Sequence, residues 1–202
     1  MQRDERLVVL FGGTFDPPHV GHLAMAQLAL EQTRASRVCL LPSPAPPHKE
    51  EQSLPFAVRV KLCQALVEGY DRLTVSTFEA DLPRPSFTVD TVLALQALHP
   101  DTRFLFLLGG DSLAQLPTWE RAQELARTIP FLVAARSTHP LASTLDTVRQ
   151  QLPGIQVQAV EMPILDVSSS WLRARFDQNL SLCGLVPEPV LVCWRSQSHA
   201  RQ

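Results

Sequence analysis

Two histidines three positions apart close the run Gly12-Gly13-Thr14-Phe15-Asp16-Pro17-Pro18-His19-Val20-Gly21-His22. Imidazoles side by side can donate hydrogen bonds to charge that builds on a transferring group, and glycines let backbone N–H groups approach an anion closely. The chemistry indicated is phosphate binding. A second cluster lies near the carboxyl end, Ser168-Ser169-Ser170-Trp171-Leu172-Arg173. Serines in series suit a helix N-cap, whereas Arg173 in the first turn works against the helix dipole, a conflict that an anion held between them would relieve. Lys49, after Pro46-Pro47-His48, is one of only two lysines in the chain, so its placement invites the same question.

These groups need elements to hold them. The run Leu7-Val8-Val9-Leu10-Phe11 has the length and β-branched content of a buried strand, and residues 23–30 are helix-forming. A strand that ends in a glycine turn and opens onto a helix brings free N–H groups and the positive dipole end together. Further strands are predicted over 37–41, 73–78, 104–108, 131–135 and 155–160. Helices are predicted over 55–68, over 89–98, after the break Leu116-Pro117-Thr118-Trp119 as far as 125, and after the three serines. Such alternation predicts an α/β protein, a Rossmann-like doubly wound parallel sheet with helices on both faces. Ligands of these sheets bind beyond the carboxyl ends of the strands at the switch point, so the loops after Phe11, Leu41 and Leu108 should face one crevice. The 202 residues suit a single domain over 1–202, with 196–202 read as a frayed tail.

Composition narrows the function classes. A net charge of −2 leaves no basic footprint for nucleic acid. No apolar run reaches the roughly 18 residues of a membrane span. The charged start, Met1-Gln2-Arg3-Asp4-Glu5-Arg6, runs straight into the first strand, which argues against a signal peptide and for a cytoplasmic protein. Cys39, Cys63, Cys183 and Cys193 are widely spaced, without a zinc pattern, and read as structural thiols of a reducing compartment. Neither Lys49 nor Lys61 follows a glycine, so a P-loop is absent.

The first run matches, residue for residue, the signature of the nucleotidyltransferases that carry a His-x-Gly-His motif. The cluster Ser168 to Arg173 resembles that family's second signature, with Ser170 for the usual threonine and Leu172 for the usual isoleucine. Pro46-Pro47-His48-Lys49, Pro85-Ser86-Phe87-Thr88 with Asp90-Thr91, and Leu108-Gly109-Gly110-Asp111-Ser112-Leu113 with Leu116-Pro117-Thr118-Trp119 resemble the bacterial nicotinate-nucleotide adenylyltransferases. The likeness covers residues 8 to 190, nearly the whole chain.

That resemblance implies adenylyl transfer from ATP to nicotinate mononucleotide, giving deamido-NAD and pyrophosphate in NAD biosynthesis. It implies His19 and His22 as the catalytic pair. Gly12, Gly13, Thr14, Phe15, Lys49, Gly109, Asp111, Ser168, Ser169, Ser170 and Arg173 would surround ATP. Ser43, His48, Thr88, Trp119, Glu120 and Arg136 would surround the nicotinate nucleotide, with Trp119 stacked on the pyridine ring. Mg²⁺ would arrive with ATP or leave with pyrophosphate, with no metal site on the protein. A homodimer is compatible with the resemblance, and neither nucleic acid nor membrane is an expected partner. Three positions depart from the family pattern: Ser43 where asparagine is common, Glu120 where an aromatic is common, and Ser137 where proline is usual. Glu120 sets an acid beside an expected carboxylate site. The alternatives are another His-x-Gly-His chemistry, with a different phosphate acceptor or CTP as donor, or a nucleotide-binding protein without catalysis.

Overall fold

A computed structural model describes residues 6–44, 54–83, 85–134 and 141–199. The chain forms β1 (Arg6–Gly13), α1 (Val20–Thr33), β2 (Arg37–Pro42), α2 (Phe56–Val67) and β3 (Leu73–Val75). It continues through α3 (Thr88–Leu98), β4 (Thr102–Gly109), α4 (Gly110–Gln115), α5 (Ala122–Thr128) and β5 (Phe131–Ala134). The last elements are α6 (Leu141–Gln151), β6 (Val157–Val160), α7 (Ser169–Asp177) and α8 (Glu188–His199).

All strand pairs are parallel, in the order β3-β2-β1-β4-β5-β6. The first three strands build outward from β1 in one direction, and the chain returns to β1 to build β4, β5 and β6 in the other. The switch point therefore falls between β1 and β4, as the doubly wound reading expects. Side chains alternate faces along a strand. Val9 and Phe11 enter the core layer that holds Met25, Leu62, Leu66 and Trp194, while Val8 and Leu10 enter the layer with Val89, Leu116, Leu125 and Phe131. Covered on both sides, β1 is apolar without interruption.

Several elements differ from the expectation. The strand expected over 73–78 stops at Val75. The Ser76 N–H makes the last bond to β2, at the Leu40 carbonyl, and the Ser76 hydroxyl then accepts from the Phe78 N–H and turns the chain into a 3-10 helix, Phe78–Asp81. The strand expected from 155 begins at Val157, because the Ile155 N–H is still bonded to the Leu152 carbonyl after α6. Neither α6 nor α8 was anticipated. Only a narrow stripe of the Ser- and Thr-rich α6 is apolar, with Val148 buried. Helix α8 runs to His199, into the stretch read as a frayed tail. It is anchored by Val190, Leu191 and Trp194, whose ring stacks on Phe176 at 4.3 Å.

All four cysteines are free; Cys63 is buried and Cys183 exposed. Burial raises the pKa of the Cys63 and Cys39 thiols, as expected of inert core groups. Among the described residues no helix is long and apolar enough to cross a membrane.

Candidate active site

The carboxyl ends of β1, β2 and β4 lie side by side, with Gly13 opposite Pro42 in the register and Gly109 opposite Ala134 of β5. The Ser43 N–H extends the β1–β2 ladder by donating to the Gly13 carbonyl at 2.9 Å. Gly12 is required by close packing: a Cβ there would stand 2.6 Å from Cζ of Phe106, a ring buried in the core. Phe15 takes a left-handed backbone, φ 51°, and turns its ring inward. That ring is 2% exposed and meets Phe11 edge-on at 5.2 Å and His22 at 5.1 Å, so it forms the floor under His22.

His19 is the N-cap of α1. Its Nδ1 accepts from the Gly21 N–H at 3.2 Å, and Nδ1 of His22 reaches back to accept from the His19 N–H at 3.3 Å. An imidazole that accepts at Nδ1 carries its proton on Nε2 when neutral, so both rings are set as Nε2–H donors. The ring centroids are 3.9 Å apart. His19 has no exposed surface, whereas His22 is half-buried. Gly21 makes room for this pair, since a Cβ there would lie 3.0 Å from two His19 ring atoms.

The expectation of bare N–H groups at the start of α1 is not met at Val20 and Gly21. The Val20 N–H donates to the Leu185 carbonyl, and Gly21 is taken by His19. Of the two imidazoles, His22 keeps exposed surface while His19 is buried behind it.

The serine cluster meets the β1 loop directly. Ser168 caps α7 by accepting from the Trp171 N–H at 3.2 Å, and the Ser169 hydroxyl donates to the Pro17 carbonyl at 2.9 Å. Arg173 donates to the Asp16 carbonyl, lies 3.3 Å from the Asp16 carboxylate, and donates to the Ser170 hydroxyl at 3.3 Å. The anion expected beside Arg173 is thus supplied first by the protein itself, from Asp16. The Asp16 side chain is fully buried, and its Oδ1 accepts from the Leu54 N–H at 3.1 Å.

Asp16 and its neighbour Arg59 were missed as site residues. Arg59 of α2 is 1% exposed and donates to the carbonyls of Leu54, Thr14 and Ser43 at 2.9, 2.8 and 2.7 Å. Burial lowers its pKa, and the Asp16 charge opposes that shift. A signal did exist in the sequence. Arg59 stands on the same helical stripe as Leu62, Cys63 and Leu66, all buried, where a charge is out of place.

The β4 side is built differently. Gly109 ends the strand and caps α4, and Asp111 is exposed in its first turn. Trp119 is half-buried, with its ring edge-on to Phe106 at 6.3 Å. Phe106 therefore lies between Gly12 and Trp119. Thr88 begins α3, whose N-cap Phe87 donates its N–H to Asp90 at 3.2 Å. Arg121 pairs with Asp90 and, through two bonds of 2.8 Å, with Glu124, which joins α3 to α5 beside Trp119. Glu120 is exposed. His48, Lys49, Arg136 and Ser137 lie outside the described residues. A cavity of about 370 Å³ lined by Arg6, His99 and Asp101 opens at the other end of the sheet, by the start of β4, and shares no residue with this crevice.

A family model described as cytidylyltransferase-like matches residues 10–175, from within β1 to within α7, and so takes in both polar clusters. By class this is a cytidylyltransferase-like α/β protein. A protein of Exiguobacterium sibiricum named probable nicotinate-nucleotide adenylyltransferase is 41% identical over 182 residues, covering 90% of this chain and 92% of its own length. One of the same name from Geobacillus thermodenitrificans is 36% identical, covering 90% and 80%. Among solved structures, the Plasmodium falciparum nicotinic acid mononucleotide adenylyltransferase complexed with NaAD superposes with a TM-score of 0.79 at 14% identity, over 95% of this chain and 96% of that one. The chain belongs to the nicotinate-nucleotide adenylyltransferase family.

Proposed function

We propose that the crevice transfers the adenylyl group of ATP to nicotinate mononucleotide, the activity in NAD biosynthesis for which the relatives are named. A phosphate oxygen of the mononucleotide bonds to the α-phosphorus of ATP. The bond from that phosphorus to the oxygen bridging to the β-phosphate breaks, and deamido-NAD and pyrophosphate leave. The attacking group is already an anion, so the site must align the reactants and stabilise charge rather than supply a strong base.

The observation that carries this reading is the histidine pair. With both Nδ1 atoms engaged by backbone N–H groups, each neutral ring carries its proton on Nε2, and of the two only His22 keeps exposed surface. His22 contacts the α-phosphate, and His19 holds it in place through the contact of their tilted rings and the bond from its own N–H to His22 Nδ1. Ser169, Ser170 and Arg173 receive the β- and γ-phosphates, and Lys49 joins them by family resemblance. Thr14 and the glycines border the nucleotide. Mg²⁺ enters as part of the nucleotide substrate; among the described residues no group of three or more His, Cys, Asp or Glu stands close enough to hold a metal ion.

Trp119 offers a flat face for the pyridine ring, a suitable partner for an electron-poor aromatic. The backbone near Thr88 and Glu120 holds the nicotinate carboxylate, and the exposed Glu120 side chain stays hydrated. Ser43, His48 and Arg136 complete that side of the reading.

The test is release of pyrophosphate from ATP with nicotinate or nicotinamide mononucleotide as acceptor, and with CTP in place of ATP. We expect kcat/KM to favour nicotinate strongly, because an acceptor lacking the carboxylate leaves polar groups of the site unmatched. Equal values for the two acceptors would overturn the substrate assignment, and preference for CTP would overturn the donor.

A further inference from the structure

Arg59 lies beneath the site rather than in it. Its guanidinium presents N–H donors in a fixed planar fork, and three of them reach three different chain segments. Nη1 holds the Thr14 carbonyl of the β1 loop, Nη2 the Ser43 carbonyl beyond β2, and Nε the Leu54 carbonyl before α2. Asp16 grips the same ground from the other side by accepting from the Leu54 N–H while its second oxygen meets Arg173 of α7. Leu54 is thus held through both its N–H and its C=O. In the sequence, Ser43 and Leu54 flank the stretch that contains His48 and Lys49.

Stability alone does not explain a guanidinium here. The rest of the buried stripe of α2 is Val60, Leu62, Cys63 and Leu66. A buried charge pays heavily in lost hydration, and apolar residues of similar volume often serve stability as well or better. What a rigid, charged fork provides, and an apolar side chain cannot, is a fixed spacing between three carbonyls. We infer that Arg59 is a positioning residue: it sets the β1 loop and the backbone at Ser43 and Leu54 relative to the Asp16–Arg173 contact, and thereby aligns the donor phosphates with the acceptor phosphate. This inference rests on the crevice being the site of nucleotidyl transfer.

The experiment compares wild type, Arg59→Lys and Arg59→Ala, with turnover expressed per folded molecule from far-UV circular dichroism. Lysine keeps the charge and loses the fork. Alignment matters most in the transition state, so kcat of Arg59→Lys should fall by about 10²-fold while KM for each substrate changes far less. Millimolar methylguanidinium should restore part of the kcat of Arg59→Ala and none of that of His22→Ala. Wild-type kcat in folded Arg59→Lys would overturn the inference, and so would a loss fully accounted for by unfolded protein. If Arg59→Ala does not fold, the lysine variant decides. The ratio of variant to wild type is taken on whichever acceptor the wild-type chain uses. A wrong acceptor therefore overturns the functional reading and leaves the Arg59 test standing, and a wild-type chain that turns over no acceptor removes both.

Discussion

The two sides of the crevice are built by different physics. On the β1 side polar groups are buried: Asp16 and Arg59 are each 1% exposed and His19 is 0% exposed, each engaged by backbone from a distant or adjoining segment. On the β4 side the contacts beneath the site are apolar, Phe106 against Trp119, and the charges stay in water, with Arg121, Asp90 and Glu124 side chains 40, 36 and 47% exposed. A buried charge tolerates few rearrangements, since each alternative strands an uncompensated group. An exposed ion pair is weak and readily exchanged for water. On the proposed function, the side that would handle the phosphates is preorganised and the side that would take the pyridine is adjustable.

The sharpest way to break this contrast is His22→Ala. On the preorganised side a single transition-state donor should matter most, and kcat should fall by about 10²–10³-fold while the protein folds normally. Unchanged turnover would remove the histidine from the reaction and the β1 side from its assigned role.

Gly12→Ala tests whether the two sides are independent. The new Cβ would meet Phe106 at 2.6 Å, and that ring also borders Trp119. We expect a loss of about 1–3 kcal/mol in urea unfolding from overpacking, together with a higher KM for the acceptor as Trp119 shifts. A stable variant with wild-type acceptor KM would show that Phe106 does not transmit between them.

A pH dependence is expected outside both sides, in the 3-10 helix Phe78–Asp81 that packs against β2. Burial pushes the Glu79 carboxyl up to about 7, from an ordinary value of 4.5. The Glu79 carbonyl accepts from the Ser86 hydroxyl, two residues before Thr88, so this acid is tied to the start of α3. A carboxyl whose pKa is higher in the folded state binds more protons there than in the unfolded state. Its contribution to stability is complete below the ordinary value and is lost as pH rises through about 7. The loss amounts to at most about 3 kcal/mol. Glu79→Gln cannot ionise, so relative to wild type it should gain stability between pH 5 and pH 8 in urea melts. Parallel pH profiles for the two proteins would place the acid in water.

The same contrast governs what could be read from the sequence. The strand 7–11 was legible because a central parallel strand is apolar on both faces, and the glycine–histidine run because its residue types have few other uses together. Trp119 was legible only through its neighbours. The Asp16–Arg59–Arg173 network was not, because it joins positions far apart in the chain; Arg173 stood out alone, as a charge in need of an anion, with nothing to name Asp16 as its partner. Periodicity could have exposed Arg59, whose place on the α2 stripe is apolar by pattern. Nothing local marked Asp16. Helix α8 escaped for a related reason: its support comes from Trp194 stacking on Phe176 of α7, a contact invisible to local patterning.

The smallest expected effect is also the one that defines the adjustable side most directly. Arg121 joins Asp90, which caps α3 at Phe87, to Glu124 of α5, and its own left-handed backbone follows the Trp119-Glu120 pair. Both its hydrogen bonds to Glu124 and the one to Asp90 stabilise its charged form. Because these groups are exposed, Arg121→Ala should hardly move the thermal midpoint or kcat. What it frees is the spacing between Thr88 and Trp119, so KM for nicotinate mononucleotide should rise, by less than about tenfold, with KM for ATP unchanged. Salt should produce a similar rise in wild type and little in the variant, since screening removes the same attraction. A rise in both KM values would mean that the β4 side is coupled to the phosphates after all, and the division between a fixed and an adjustable side would have to be given up.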